Sequence, residues 1–466
     1  MVELSIDKVI GISNAEYDQL QELISVYEYH LANNYEKEKY YEGAVTLGDV
    51  NIGIALPRNF NDLEIGCAWG AKTVDVLAAR SMFDGFVGTN GEAVEILDKL
   101  TVDNDLVAEY MKACRDELKY GCTFMTLSGD EKIGCKIRFH SPKTAAALWD
   151  GVKGRIAYGF AIIDSVPDDS ETPTWNPSLI NYYTDTEIIV LERIKEGSST
   201  WKAERHAHNM GRPLMEPLIW NATSNKPFGR SRLKYPVRSL IDGYIRTVAN
   251  ATIGLEFATS PQKYMLGVTD EQYDNLINDK FKQYIGSMIV ATTNPETGEK
   301  PSFGQLSQGT LSPAVEMMRV LATQFSAATG LTVTDTGVVS EANPTSAEAV
   351  TAQSATLIAM ASQLNTGNGD SLRTVALMAM AIVEKTSLDK LTDEQKDVMA
   401  HFKNPSMPSV AATADAAIKI ASAREGFSGT DTFLEMLGFD KAEIRRIKSE
   451  EQKGRGIATL NEMGVE

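Results

Sequence analysis

The most informative stretch of this sequence is NPTSAEAV, residues 343–350. Its Asn-Pro pair disfavours helix, and the following Thr345-x-x-Glu348 is a capping box, in which side-chain oxygens satisfy the first free amides of a helix. The helix that begins here is predicted to end where Gly367-Asn368-Gly369 interrupts it. A second helix is then predicted over residues 371–386.

The residues before this stretch predict two helices separated by a compact insertion. Apolar residues recur at helical spacing over 236–258 and again over 312–329, where a Ser-Pro pair marks the start and Gly330 the end. The insertion, 260–310, has mixed character and contains an Asn-Pro-Glu-Thr-Gly turn. Residues 331–343, which are small, β-branched or acidic, are predicted to form a loop.

The first half of the chain predicts helices followed by an antiparallel sheet. Helical periodicity covers residues 15–39, 70–83 and 103–119. Strand-like runs follow at 137–139, 155–163, 187–191 and 200–205, the last two joined by a predicted hairpin. Consecutive strands with short turns favour an antiparallel sheet, so the predicted fold class is α+β. The C-terminal section, about 410–453, is predicted to be helical.

Charge and composition exclude some functional classes. The 466 residues carry a net charge of −18, whereas a protein that reads DNA sequence is expected to be basic, because it neutralises phosphates. The first residues include Glu3, Asp7 and Lys8 with no apolar core after them, so no signal peptide is predicted. The longest apolar run, 375–383, is too short to span a bilayer.

The cysteines and the candidate catalytic motifs predict no chemistry. Cys67, Cys114, Cys122 and Cys135 contain no CxxC pair and are expected to be reduced structural thiols. The stretch GCAWGAKT, residues 66–73, is close to a phosphate-binding loop but has the wrong spacing. Glu204, His206 and His208 share one strand face, yet no third histidine completes a metal site. No catalytic, cofactor or metal residue is therefore predicted.

Six short motifs share an order and spacing that resemble those of the portal proteins of tailed bacteriophages, over roughly residues 15–440. The motifs are YYEG at 40–43, VDVLAAR at 74–80 leading to DGF at 84–86, ELKYGCTF at 117–124, FGRSR at 228–232, EFATSPQKYMLG at 256–267, and NPTSAEAV at 343–350. Each motif alone is weak, and their order carries the resemblance.

The resemblance implies a portal fold with an α/β wing, a two-helix stem, a small mixed clip and a helical crown. The implied divisions are 1–235 for most of the wing, 236–259 and 312–330 for the stem helices, 260–311 for the clip, 331–344 for a tunnel loop, 345–409 for helices that return to the wing, and 410–466 for the crown.

The resemblance also implies a structural function rather than an enzymatic one. About twelve copies would form a ring at one capsid vertex of the virion, after assembly in the host cytoplasm. The expected partners are the terminase motor, capsid or scaffold proteins, a head-tail adaptor, and double-stranded DNA that passes without sequence readout. No cofactor and no membrane are expected. Another phage head or tail structural protein, or an unrecognised enzyme, remains as an alternative.

Three groups of residues are expected to matter in such a ring. The tunnel-loop residues are Val333, Gly337, Val338, Val339, Ser340 and Glu341. Lys280, Lys282 and Lys300 could give weak basic contacts to DNA, although each could equally be a solvated lysine. Arg230 and Arg232 could pair with carboxylates of the neighbouring subunit. The same two arginines could instead tie the wing to its own stem.

Overall fold

The structure, a computed structural model, describes most of the chain. The described residues are 4–50, 65–89, 91–167, 175–195, 197–259, 263–266, 298, 302–305, 310–338, 347–406, 410–439, 443–444 and 446–453. The chain divides into two compact units, Met1–Phe402 and Lys403–Glu466. Among the described residues, no helix is both long and apolar enough to cross a membrane.

The first unit begins with helices whose ends follow from local sequence. They are α1 (Asn14–Glu42), α2 (Leu47–Val50), α3 (Trp69–Ala78), α4 (Gly91–Asp103) and α5 (Leu106–Tyr120). Ser13 and Glu16 form a capping box at the start of α1, and Gly43 ends the helix. One face of α1 is buried, as its periodicity predicts, by Leu20, Leu23, Ile24, Tyr27 and Leu31.

Ten strands of this unit form two larger sheets and part of a third. They are β1 (Lys8–Ile10), β2 (Phe83–Gly88), β3 (Cys122–Asp130), β4 (Gly134–His140), β5 (Ala145–Asp150), β6 (Arg155–Pro167), β7 (Trp175–Tyr183), β8 (Glu187–Arg193), β9 (Thr200–Ala207) and β10 (Met215–Ile219). One sheet has the order β1-β9-β8-β7-β6-β5 and another has the order β10-β3-β4. The predicted antiparallel sheet is confirmed, and among the described strands only the β1–β9 pair is parallel.

The described residues in the rest of the first unit are mainly helical. Its elements are α6 (Tyr235–Thr259), β11 (Lys263–Leu266), β12 (Ser302–Gln305), α7 (Ser312–Thr329), a 3-10 turn at Thr334–Thr336, α8 (Ala347–Val383), a 3-10 turn at Leu388–Lys390, α9 (Asp393–Lys396) and β13 (Val398–Phe402). β11 and β12 form an antiparallel pair, as do β13 and β2. Both predicted helices that flank the insertion are confirmed as α6 and α7.

Two apolar clusters stabilise the first unit. The smaller one packs the apolar face of α1 against one face of the six-stranded sheet, with Phe160, Tyr182 and Trp201 fully buried. The larger one joins α3, α5 and α8 to the β10-β3-β4 sheet, to the first half of α6 and to the second half of α7. The helices and sheets that precede α6, which we call the α/β part, therefore share one continuous core with α6 and α7.

The predicted break of the last long helix at Gly367-Asn368-Gly369 is wrong. α8 is a single helix of 37 residues. Asn368 lies on its buried face, between Leu364 and Leu372, and donates to side chains of α5 instead of to its own backbone. Tertiary partners thus remove the competition with helix that makes Asn-Gly sequences favour turns.

Three other element boundaries differ from prediction. The helix expected over 70–83 ends at Ala78, because Phe83 begins β2. The helix expected over 103–119 is α5, and α4 precedes it without having been predicted. The segment 345–409, expected to be helical, also contains β13, whose partner β2 lies about 300 residues earlier in sequence.

The second unit is helical, as the sequence predicts. It contains α10 (Val410–Ala423), a 3-10 turn at Phe427–Gly429 and α11 (Asp431–Met436), with further helical residues at 446–453. The Thr430 hydroxyl accepts the Phe433 amide and so caps α11. The rings of Phe427 and Phe433 meet edge to face with their centres 5.9 Å apart.

Candidate functional site

Helices α6 and α7 form an antiparallel hairpin, which we call the helix hairpin. Gly243 of α6 faces Leu321 of α7, and Gly254, eleven residues later, faces Leu311, ten residues earlier. A Cβ at Gly243 would lie 3.2 Å from Leu321 Cδ2, so the absence of a side chain there lets the helices approach closely, whereas a Cβ at Gly254 would be in ordinary contact at 3.7 Å. The arrangement places the ends of α6 and α7 that adjoin the α/β part side by side.

The two halves of the helix hairpin differ in burial. Next to the α/β part, α6 buries Val237, Ile241, Ile245 and Ala249, and α7 buries Leu321, Ala322, Phe325 and Thr329. In the other half, apolar side chains are exposed by 44–48 %: Leu255, Val315, Met317 and Val320. A group of exposed apolar residues on neighbouring helices is typical of a surface that contacts another protein.

Trp69, the first residue of α3, holds the helix hairpin to the α/β part. Its indole ring lies 4.3 Å from the ring centre of Tyr244 on α6 and 4.6 Å from that of Phe325 on α7. Its Nε1 donates to the carbonyl of Thr336 at 3.0 Å. One side chain therefore contacts both hairpin helices and the segment that follows them.

Arg232 makes a second connection at the same place. Its Nε donates to the Thr73 carbonyl of α3 (2.6 Å) and its Nη2 to the Thr329 carbonyl at the end of α7 (2.7 Å). The guanidinium is also 5.9 Å from the ring centre of Trp220. Burial lowers its pKa to about 10. A cation is favourable at the negative end of a helix dipole, which helps to offset its desolvation. We call the contacts of Trp69 and Arg232 the joint.

Of the two roles left open for Arg232, these contacts match the one inside its own chain. Arg230, two residues earlier, is exposed. Its place at a subunit interface stays a prediction.

The two tyrosines at the end of α1 connect that helix to its neighbours. The Tyr40 hydroxyl donates to Asp242 of α6 at 2.8 Å, and the Tyr41 hydroxyl donates to Asp75 of α3 at 3.0 Å. Burial, followed by these carboxylates, raises the pKa of both tyrosines, that of Tyr41 to about 12. Both hydroxyls therefore stay protonated and act as donors. This gives a physical reason for two consecutive tyrosines at this position.

Two glycines permit backbone contacts around the joint. A Cβ at Gly70 would lie 2.0 Å from the carbonyl oxygen of Tyr40, so α3 crosses α1 backbone to backbone. Gly229 has φ +70°, and a Cβ there would lie 2.1 Å from the carbonyl oxygen of Trp220. Only glycine satisfies such close approaches.

The segment after α7, residues 331–338, is held in place by burial and by side-chain hydrogen bonds. Leu331 is buried, and its carbonyl accepts the Ser326 hydroxyl at 2.6 Å. The Asp335 carboxylate accepts both the amide and the hydroxyl of Thr332. The larger apolar cluster includes Leu331 and contacts Val338, so both ends of this segment pack against the core.

The predicted channel residues are only partly described. Val333 is half-buried beside the 3-10 turn, Gly337 is exposed, and Val338 packs against the larger core. Val339, Ser340 and Glu341 lie outside the described residues, as do Lys280, Lys282 and Lys300 and the capping-box residue Thr345. Their expected contacts with DNA stay predictions.

The stretches that resemble catalytic motifs have ordinary structural roles. Residues 66–73 lead into α3, with Lys72 exposed and the Thr73 hydroxyl bonded to the Trp69 carbonyl. His206 and Glu204 are exposed on β9, 3.5 Å apart. All four cysteines are buried and unpaired, as expected for structural thiols. Within the described part of the chain, no three His, Cys, Asp or Glu residues are grouped to hold a metal ion.

A buried polar network joins α5 to α8, and sequence reasoning missed it. Asn368 Nδ2 donates to Glu117 Oε2 at 2.7 Å and to the Tyr110 hydroxyl at 2.9 Å, and Ser81 completes the chain at 2.7 Å from that hydroxyl. Glu117 is fully buried, and burial raises its pKa to about 8. In the sequence, the only sign of this network is that Glu117 and Asn368 occupy positions on the apolar faces of their helices.

The Glu117→Gln variant is expected to change how stability depends on pH. Between pH 4.5 and about 8 the unfolded chain loses the Glu117 proton while the folded chain keeps it, so wild-type stability falls as pH rises. The slope is about 1.4 kcal/mol per pH unit. Urea unfolding at intervals across this range should give a flatter profile for Glu117→Gln. Glu109→Gln, on the exposed part of α5, is the control and should keep the wild-type slope.

Comparison with known proteins gives concordant matches along the chain. The family model "Phage portal protein, SPP1 Gp6-like" matches residues 6–456. Portal proteins of Mycobacterium phage D29 and Mycobacterium phage L5 are 23% and 24% identical over 454 and 463 residues, in each case 95% of this chain and 90% of the relative. A chain in the virion of a native gene transfer agent particle has a TM-score of 0.47 at 11% identity, covering 87% of this chain and 93% of that one. A chain in the neck of the native particle, computed with C12 symmetry, has 0.45 at 14%, covering 80% and 89%.

Proposed function

Because the chain belongs to the phage portal protein family, SPP1 Gp6-like, we propose that it is the portal subunit of a tailed phage. About twelve copies form a ring at one vertex of the capsid. Double-stranded DNA enters and leaves through the central channel of this ring. The match of the family model over residues 6–456 is the observation that carries the proposal.

In this assignment the helix hairpin is the stem. Residues 1–235 form most of the wing, 260–311 the clip, 331–344 the tunnel loop, and 410–466 the crown. The support comes from the hairpin itself: its half next to the wing is buried within the subunit, whereas its other half exposes apolar side chains. In a ring, the stem of the next subunit would cover these side chains.

The charge of the chain supports a channel that does not hold DNA tightly. Each subunit carries a net charge of −18, so a ring repels the phosphate backbone on average. Residues 331–344 contain no lysine or arginine. Contact between this loop and DNA would then be steric or through backbone dipoles, and it would be insensitive to base sequence.

The partners follow from the position of such a ring in the virion. The terminase motor, capsid or scaffold proteins and a head-tail adaptor would dock on it, and assembly would take place in the host cytoplasm. We assign no catalytic role to the chain. The residues that first suggested nucleotide binding lead into α3, Glu204 and His206 are exposed on β9, and His208 lies half-buried just after that strand.

Substitution of the exposed apolar residues of the stem tests whether they form the contact between subunits of the ring. Light scattering should give the wild-type protein the mass of an oligomer, and negative-stain images should show rings with a central hole. The double variant Val315→Asp, Val320→Asp should remain at the subunit mass of 50.9 kDa, because it places charges in the subunit interface. Val152→Asp, at a turn residue exposed by 97%, is the control and should still form rings.

Two results would contradict these expectations differently. Rings formed by the double variant as readily as by wild type would show that this stem surface is not the subunit contact. A wild-type chain that stays monomeric at high concentration and in assembled particles would refute the portal assignment itself.

A further inference from the structure

A cavity of about 700 Å³ lies between α1, β5 and residues 226–238. The basic side chains that line it come from two stretches of sequence: His30 and Lys37 on α1, and Lys226, Arg230, Lys234 and Arg238 on the loop before α6 and its first turn. Among the described residues that line the cavity, none is acidic. This concentration of cations is unexpected in a chain with a net charge of −18.

Among the described residues, Lys37, Lys226, Arg230 and Lys234 have no carboxylate partner, and burial lowers the pKa of His30, which favours its neutral form. Lys37 donates only to neutral groups, the Asn34 amide oxygen at 3.2 Å and the Tyr120 carbonyl at 3.1 Å. Burial lowers its pKa to about 8. Within the described part of the chain, no carboxylate is within ion-pair distance of the exposed side chains of Lys226, Arg230 or Lys234. Arg238 alone is paired, with Glu36 at 2.6 Å.

Aromatic side chains complete the lining. Trp149 and Phe228 meet edge to face with their ring centres 5.7 Å apart, and Tyr235 is 75% exposed at the start of α6. A concave site with cations and aromatic surface suits a peptide segment that carries carboxylates. A cavity of this volume is too small to admit duplex DNA.

We propose that this cavity receives an acidic segment of the neighbouring subunit in the ring. The inference rests on the proposed function, because a ring of identical subunits brings one face of a chain against a different face of the next. The chain has 63 Asp and Glu residues against 45 Lys and Arg, so the part of the chain outside the cavity carries a net negative charge. Contact between the cationic cavity and such a surface orients the subunits and favours their association.

Charge reversal in the cavity tests the proposal. The double variant Lys226→Glu, Lys234→Glu should need at least about tenfold more protein for half-maximal ring assembly, because two attractions become repulsions. The matched control Lys132→Glu, Lys202→Glu reverses two exposed lysines outside the cavity. The control should assemble within about twofold of wild type. Neither pair is part of a buried network, so both variants should fold.

Cross-linking identifies the occupant directly. Rings are assembled from an equal mixture of isotopically light and heavy chains and treated with a carbodiimide, which joins lysine amines to carboxylates in contact. Mass spectrometry should find Lys226 or Lys234 joined to an Asp or Glu peptide of the other isotope. Cross-links of these lysines confined to peptides of the same chain would overturn the proposal.

The remaining outcomes separate this inference from the portal assignment. If wild type and the cavity variant form rings equally well, the inference fails and the portal function stands. If wild type forms no ring, either at high concentration or in assembled particles, the portal function fails and the inference with it. If the variant assembles normally but binds a duplex DNA probe more weakly by fluorescence anisotropy, the cavity serves phosphate groups and the inference also fails.

Discussion

Replacing Gly70 with alanine is expected to reduce the free energy of unfolding of the first unit by about 3 kcal/mol or more. The added Cβ would lie 2.0 Å from the carbonyl oxygen of Tyr40 and 2.8 Å from its carbonyl carbon. Neither atom can rotate away, so α1 and α3 must separate. Alanine favours a helix over glycine by about 1 kcal/mol, which is too little to offset the separation of two packed helices.

The control for this prediction lies four residues earlier. A Cβ at Gly66 would meet no atom within 4 Å, so Gly66→Ala should change stability by less than about 0.5 kcal/mol. Urea unfolding followed by tryptophan fluorescence measures both, since Trp69 lies beside the site. Equal stability of the two variants would show that α1 and α3 do not cross as closely as described.

Replacing Arg232 with alanine is expected to destabilise the chain by roughly 3 kcal/mol. The variant leaves the carbonyls of Thr73 and Thr329 without their donor and creates a cavity beside Trp220. Relief of the buried charge offsets part of this loss. Arg232→Lys should recover only part of the stability, because a single ammonium cannot reach both carbonyls as the forked guanidinium does.

Arg230→Ala is the matched control for Arg232→Ala. Its side chain is exposed, so the stability of the unassembled chain should change by less than about 0.5 kcal/mol. Hydrogen exchange of residues 326–338 offers a second measurement, because the joint holds the end of α7 and the segment after it. Faster exchange there in Arg230→Ala than in Arg232→Ala would contradict the assignment of the joint.

The joint bears on the proposed function because, in the proposed assignment, it would connect the stem to the wing. Trp69 and Arg232 attach α3 to the end of α7, and Tyr40 attaches α1 to α6. A movement of α6 and α7 would therefore be transmitted to the α/β part through these contacts and through the apolar core that the elements share. Residues 331–338, the first half of the proposed tunnel loop, are attached to Trp69 through the Thr336 carbonyl.

Local sequence was sufficient for the elements whose signals are local. The Ser-Pro start and Gly330 end of α7, the apolar stripe of α1, and the strand-like runs of β8 and β9 all predicted what the structure contains. These signals work because caps, turns and amphipathic faces depend on residues within one or two turns of each other. The order of the short motifs also predicted the family, whose model matches residues 6–456.

Only the tertiary structure decided the features that depend on distant partners. Asn368 continues a helix because Glu117 and Tyr110, about 250 residues earlier, accept its side chain. Arg232 lies inside the chain because two carbonyls converge on it, and the cationic cavity exists because two separate stretches meet. Hydrogen-bond partners and burial belong to the packed chain and not to any window of sequence, so neither periodicity nor composition could predict them.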